Sequence, residues 1–243
     1  MKIGLYCTVS SKELNLALAT LRFAELSEYV FKIAILVTDA KRNKPQKISN
    51  KITLYQQNFG NGYNIPVADG GYNQIDARNF LIEKLNDADV DWIIMHDADD
   101  IYDISFYQFI STQCKTTDAV TCSCFSLRHD MSICVPLVKS RFIQGKTLYD
   151  SHTRAWKKSL NLKYEKSPGI EKYYLNHSRH CGVIFPDNLR ISYTDGLYHF
   201  HLHALLNKRH SKKIAGYSTV PHTIPESIDC FLKENAKIFL KHR

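Results

Sequence analysis

Along the first hundred residues the apolar positions follow two spacings. Ile3, Leu5 and Cys7 fall on every second residue and predict a first strand. Leu14, Ala17, Leu18, Leu21 and Ala24 recur at three and four, which predicts a helix that Ser10 and Glu13 would open as a capping box. Phe31–Val37 is apolar apart from Lys32 and partly β-branched, as in a strand buried on both faces, and it ends in Thr38-Asp39. Lys41–Asn50 reads as a polar connection and Ile52–Tyr55 as a short strand. Asn58–Asn73, with Gly60, Gly62, Gly70 and Gly71, reads as a long loop. A second helix starts near Ile75 with Ala77, Leu81 and Leu85 on one face. Trp92–Met95 is another buried strand, and it runs directly into His96-Asp97-Ala98-Asp99-Asp100.

This order predicts an α/β fold with a mostly parallel central sheet and helices on both faces. Ligands of such sheets bind at the carboxyl ends of the strands. Asp39 and Asp97 each follow a strand directly, so they are expected at one edge. Further on, the pattern predicts a helix over Ile104–Gln113, strands over Ala119–Leu127 and Gly182–Phe185, and a helix over Leu197–Lys208. A strand over Ile214–Val220 and a terminal helix over Ser227–Leu240 complete the chain. Residues 128–180 show no clear period. With no internal repeat and no low-complexity linker, the chain reads as one domain.

Composition narrows the class. At 44% hydrophobic and 23% charged residues, the 243-residue chain has globular composition rather than that of a disordered one. Its apolar runs are too short to cross a bilayer, and Met1–Cys7 reads as a strand rather than a signal peptide, so a soluble cytoplasmic protein is expected. Seven cysteines without a C-x-x-C pair are expected to be buried reduced thiols. Lys and Arg outnumber Asp and Glu by 32 to 24, giving a net charge of +8. The excess concentrates after residue 138, in Lys139–Arg141, Trp156-Lys157-Lys158 and Lys208-Arg209-His210-Ser211-Lys212-Lys213. Such a surface favours a nucleotide diphosphate, nucleic acid or anionic lipid, or is simply a solvated basic face.

The acidic cluster carries the sharpest chemistry. Carboxylates this close repel and raise one another's pKa values unless a cation neutralises them. A hard divalent ion, Mn²⁺ or Mg²⁺, suits oxygen ligands and bridges phosphate oxygens. The plainer alternative is an Asp-rich turn at the positive end of the helix that starts near Ile104.

Ala77-Arg78-Asn79, followed by Trp92-Ile93-Ile94-Met95-His96-Asp97-Ala98-Asp99-Asp100, resembles glycosyltransferase family 2, best over residues 1–127. The resemblance implies a GT-A (nucleotide-diphospho-sugar transferase) fold, with a donor-binding half at 1–127 and an acceptor-binding, catalytic half at 128–243. It implies that Asp97, with Ala98 beside it, contacts the nucleotide, and that Asp99 ligates the metal. Thr8 and Asp39 would line the base pocket and Arg78 would approach the nucleotide or its phosphates. An inverting transfer also needs a carboxylate base. By the same resemblance this is Asp195, ahead of the expected helix, with His222 completing the metal shell and Asp97 as a weaker candidate ligand. Where the family has a Glu-Asp pair, this chain has Thr194-Asp195, and Asp195 reads equally as a helix N-cap.

His199, His201 and His203 would align on a strand, whereas on a helix only His199 and His203 share a face. They are candidates for acceptor or diphosphate contact, for a transition-metal site, or for ordinary packing; His177 and His180 flank Arg179 in a second basic stretch. The implied partners are a nucleotide-sugar donor and a glycan or lipid-linked acceptor, with peripheral membrane contact. The alternative acceptor is hydroxymethylated phage DNA, met by Tyr149, Trp156, Tyr164, Tyr173 and Tyr174 among the basic residues. Two further alternatives are a nucleotidyltransferase, against which the lack of glycine in Cys7–Glu13 counts, and an inactive sugar-nucleotide-binding protein.

Overall fold

A computed structural model describes residues 1–62, 65–166, 181–183, 185–206 and 214–241. Strand β1 (Ile3–Val9) leads through a short 3-10 turn at Ser11–Glu13 into helix α1 (Leu14–Glu25). The expected capping box is replaced by a side-chain pair, in which the Ser10 hydroxyl donates to the Glu13 carboxylate at 2.9 Å. Strand β2 (Val30–Val37) follows. The segment expected as a polar connection contains strand β3 (Asn43–Lys47), which pairs antiparallel with β4 (Ile52–Gln56). Every residue of β3 is exposed, and Lys44, Pro45 and Lys47 are what a sheet edge carries to discourage further pairing. An apolar period could not reveal a strand with no buried face.

Helix α2 (Gln74–Asn86) and β5 (Trp92–Met95) come next. The chain then makes a tight turn into β6 (Asp100–Tyr102), helix α3 (Ile104–Gln113) and β7 (Ala119–Leu127). Residues 128–166 hold short strands: β8 (Ile133–Val135), β9 (Arg141–Ile143), β10 (Lys146–Leu148), β11 (His152–Lys157) and β12 (Tyr164–Lys166). Strand β13 (Cys181–Val183) pairs with β12.

The helix expected from Leu197 is not formed. Strand β14 (Ile191–His201) occupies this stretch, and only a short helix α4 (His203–Leu206) follows it. The stretch expected as a strand over Ile214–Val220 is a 3-10 turn at Ile214–Gly216 and a two-residue strand β15 (Ser218–Thr219). The terminal helix is broken at Asn235 into α5 (Glu226–Glu234) and α6 (Ala236–Lys241).

The central sheet runs β15-β8-β7-β11-β5-β1-β2-β4-β3, with β14 joined to β7 and β6. Strands β4, β2, β1 and β5 form an unbroken parallel block, as the α/β reading requires. Its two faces follow the period-two alternation. Leu5, Ile35 and Ile94 point to one core, shared with Leu16 and Leu21 of α1 and Phe106 and Ile110 of α3. Tyr6, Leu36 and Ile93 point to the other, covered by Ala77, Leu81 and Leu85 of α2. Helices therefore lie on both faces. Antiparallel β11 inserts between β5 and β7, so the two halves of the chain share one sheet.

Candidate active site

The parallel block ends on one edge with Thr8, Asp39 and Asp97. Thr8 lines a cleft of about 310 Å³ with Thr38, Asn61 and Tyr72. Asp39 borders a second cleft, of about 560 Å³, walled by Asn58, Phe59, Gly60, Gly71 and Asn73. This wall needs glycine. Gly60 has φ 89°, and a Cβ there would lie 1.7 Å from the Gly71 carbonyl oxygen. Asp39 accepts hydrogen bonds from the Ser11 backbone N–H at 2.7 Å and the Ser11 hydroxyl at 2.9 Å. These bonds fix its carboxylate at the rim of the cleft.

The Ala-Arg-Asn stretch divides its labour. Ala77 is fully buried against the sheet. Asn79 clamps the backbone of Tyr164, accepting from its N–H at 2.7 Å and donating to its carbonyl at 3.0 Å. Arg78, buried beneath Tyr164, donates to Asp97 Oδ1 at 3.1 Å and to the Tyr164 hydroxyl at 3.3 Å. Arg154 on β11 takes the other oxygen, Asp97 Oδ2, at 3.2 Å, and lies 3.7 Å from Asp100 Oδ2. Two guanidinium groups thus bracket Asp97, whose side chain keeps 32% of its exposure. All three line a third cleft, of about 280 Å³, with His152 and Phe185.

The acidic turn folds onto β14. Asp100 N–H donates to the Asp97 carbonyl at 3.1 Å, and the Asp97 N–H donates back to the Asp100 carboxylate at 3.2 Å. Because β6 pairs antiparallel with β14, His201 stands opposite Asp100 and His199 opposite Tyr102. Asp100 is fully buried, with His199 Nε2 and His201 Nδ1 each 2.9 Å from its Oδ1. Burial would raise its carboxyl, but His199 and Arg154 hold it well below the usual carboxylate range. His199 is itself stacked on the Tyr102 ring, with centroids 4.5 Å apart.

Asp99 faces the other way. Its Oδ2 lies 2.8 Å from His203 Nδ1 and 3.5 Å from His201 Nε2, and the two imidazole nitrogens are 3.1 Å apart. Burial works to lower the His201 imidazole, but Asp99 and Asp100 push it up to about 9. Ligand atoms of Asp99, His201 and His203 all fall within 4.8 Å of one another. The donor set fits a divalent cation, since His201 is oriented from behind by Asp100, the arrangement that fixes the tautomer of a metal-bound imidazole.

The chain's own residues thus alter two expectations. Arg78, Arg154 and the histidines already face the three carboxylates, so a metal is not required merely to relieve their repulsion. Asp97 has both oxygens held by arginine and His199 faces Asp100, which leaves Asp99 as the carboxylate of the candidate metal group. His222, the histidine expected there, is exposed and is not among the grouped residues; the histidines beside Asp99 are His201 and His203. Nor does Asp195 cap a helix. It is exposed within an irregular part of β14, where Asp195–Tyr198 stand opposite the single residue Ser123.

Sequence reasoning did not single out Arg154, which lies in the stretch without a clear period. Trp156 and Tyr164, candidates for stacking on a displaced base, are buried in the core instead. His177, Arg179, His180, Tyr173, Tyr174 and the basic run at 208–213 lie outside the described residues.

No protein-family model matches the chain, and neither does any curated protein sequence. Solved structures do resemble it. S. aureus TarS 1–349 is 11% identical over 84% of this chain and 61% of that one, with a TM-score of 0.46. The same protein in complex with UDP-GlcNAc gives 11% identity, 83% and 58% coverage and a TM-score of 0.48. The 4-diphosphocytidyl-2C-methyl-D-erythritol synthase from Anaerococcus prevotii is 10% identical over 98% of this chain and 96% of its own, with a TM-score of 0.45. The chain spans about three fifths of the length of the TarS chains. Any functional reading therefore rests on the side chains described above.

Proposed function

We propose that the chain is a metal-dependent, inverting glycosyltransferase of the GT-A type, moving a sugar from a nucleotide-sugar donor to a glycan or lipid-linked acceptor. One observation carries the reading. The candidate metal cluster of Asp99, His201 and His203 lies beside Asp97 at the carboxyl edge of the parallel block, the edge where Thr8 and Asp39 line neighbouring clefts. In this reading Thr8 and Asp39 receive the nucleotide base, and Asp97, with Ala98 next to it, meets the ribose. Arg78 and Arg154 hold the Asp97 carboxylate in one orientation and add positive charge near the phosphates. A bound Mn²⁺ or Mg²⁺ would supply neutralisation of the diphosphate leaving group. Asp195 is the proposed acceptor base, taking the hydroxyl proton as that oxygen attacks the anomeric carbon.

The β1–α1 connection counts against nucleotidyl transfer. Its turn, Ser11–Glu13, contains no glycine, and the Ser11 N–H is spent on Asp39 rather than left for a phosphate. Burial of Trp156 and Tyr164 takes two of the five aromatics that the DNA-acceptor alternative invoked out of reach of a nucleic acid.

A thermal-shift screen of UDP-, GDP-, CMP- and TDP-sugars with Mn²⁺ and with EDTA tests the proposal. Stabilisation by one nucleotide, only when metal is present, is the expected result. Silence toward all four in the presence of metal would overturn it.

A further inference from the structure

Seven large apolar side chains are exposed among the described residues, and three of them crowd into one hexapeptide. Leu137 is 53% exposed, Val138 96% and Phe142 77%, with Lys139 and Arg141 between them. Scattered exposed apolar residues are ordinary, but a cluster marks an interaction site. The backbone holds this cluster outward. A 3-10 turn at Leu137–Lys139 leads into β9, and β9 returns as β10 through Gln144 (φ 50°) and Gly145 (φ 76°). Two successive left-handed residues make the tight turn that matches hairpin twist. Two lysines tie the segment down, Lys139 Nζ ahead of β9 to Asp150 at 2.8 Å and Lys146 Nζ, beside the turn, to the Tyr193 carbonyl at 2.8 Å. The apolar cluster is therefore presented by a braced segment rather than a loose loop.

Charge points to what covers it. Between Asp130 and Asp150 the chain has no acidic residue, while Lys139, Arg141 and Lys146 are all basic. We propose that residues 137–142, the 3-10 turn and the strand β9 it leads into, are a membrane-docking element that inserts Val138 and Phe142 into a bilayer carrying anionic lipid headgroups. A protein partner is the poorer fit, because a stable protein interface takes about 20–30 residues a side, and this cluster is one hexapeptide. Shallow insertion needs only a few apolar side chains with basic residues beside them. The inference does not depend on sugar transfer, and it stands or falls separately from that reading.

The test is co-sedimentation of the full chain with phosphatidylcholine vesicles, with and without phosphatidylglycerol. Binding is expected to the anionic vesicles and to weaken with added salt. V138S/F142S should lower it at least about tenfold by removing the inserted side chains, and R141Q about fivefold. Both variants change exposed positions, so circular dichroism should match the parent. In F142W, the added tryptophan should shift to the blue only with anionic vesicles. Equal binding by V138S/F142S would overturn the proposal. So would a dimer, seen by light scattering, that the same variant dissolves, because the patch would then be an interface between copies of the chain.

Discussion

His201 stands across the β14–β6 ladder from Asp100, its Nδ1 2.9 Å from the Asp100 carboxylate, while its Nε2 faces Asp99 at 3.5 Å. One acid orients the ring and the other shares its free nitrogen with His203. This division of the two neighbouring acids separates the predicted metal ligand from the predicted support.

Asp99→Asn and His201→Ala should each weaken Mn²⁺ binding by at least about tenfold, the scale of losing a ligand or its orientation. His222→Ala should leave it unchanged. Calorimetric titration with Mn²⁺ reads all three. Undiminished turnover in Asp99→Asn would remove the metal from the mechanism.

With two imidazoles in the donor set, Mn²⁺ should bind more tightly than Mg²⁺, which prefers all-oxygen shells. Competition between the two ions, followed by the electron paramagnetic resonance signal of free Mn²⁺, measures the ratio. Equal affinity would point to a carboxylate-only site.

Asp100→Asn removes the one carboxylate shared by Arg154, His199 and His201, all partly or wholly buried. Arg154 keeps Asp97 and His201 keeps Asp99, but buried His199 loses its carboxylate partner, so a loss of about 1–3 kcal/mol in urea unfolding is expected. Asp99→Asn, nearer the surface, should lose less. The reverse order would reassign the supporting role.

Asp195→Asn should bind metal and donor normally yet transfer sugar at least about a hundredfold more slowly, as expected for loss of a general base. Single-turnover kinetics separates the chemical step from binding. A near-normal rate would move the base to another carboxylate.

Asp118 makes a paired contact with Arg190, at 3.0 and 3.1 Å, and this hydrogen bonding brings its carboxyl down to about 2. The folded value is below the unfolded one, so the stabilisation is complete above the ordinary carboxylate range and disappears as pH falls toward 2. Arg190 is exposed, so solvent screening limits the contribution to about 1 kcal/mol. Asp118→Asn should lower the melting temperature by about 2–4 °C at neutral pH, with the difference closing near pH 2. A gap that persists in acid would assign the effect to packing.

Elements with a strong local period are legible in the amino-acid pattern itself. Trp92–Met95, Ile104–Gln113 and Ala119–Leu127 occur with the expected bounds, because each buries a run or a face that its own spacing announces. The acidic turn is legible for the same reason, lying at the end of an obvious buried strand. The stretch at 197–208 misleads because Leu197, Phe200 and Ala204 fall at helical spacing. In the fold, pairing with β7 and β6 claims residues 199–201 as strand. Arg154 is hidden because β11 is short and is bounded by polar segments.

The sequence alone determined the parallel block, the helices that cover it, and the placing of Thr8, Asp39 and Asp97 at one edge. Those follow from local periodicity and from the way α/β chains wind. Tertiary structure decided which groups surround each acid: Arg78 and Arg154 on Asp97, His199 on Asp100, His201 and His203 beside Asp99. Arg78 comes from helix α2, nineteen residues before Asp97, and Arg154 from β11. The histidines are set by the β14–β6 register, between segments about a hundred residues apart. A one-residue slip would turn each side chain to the opposite face, and no local pattern encodes that register.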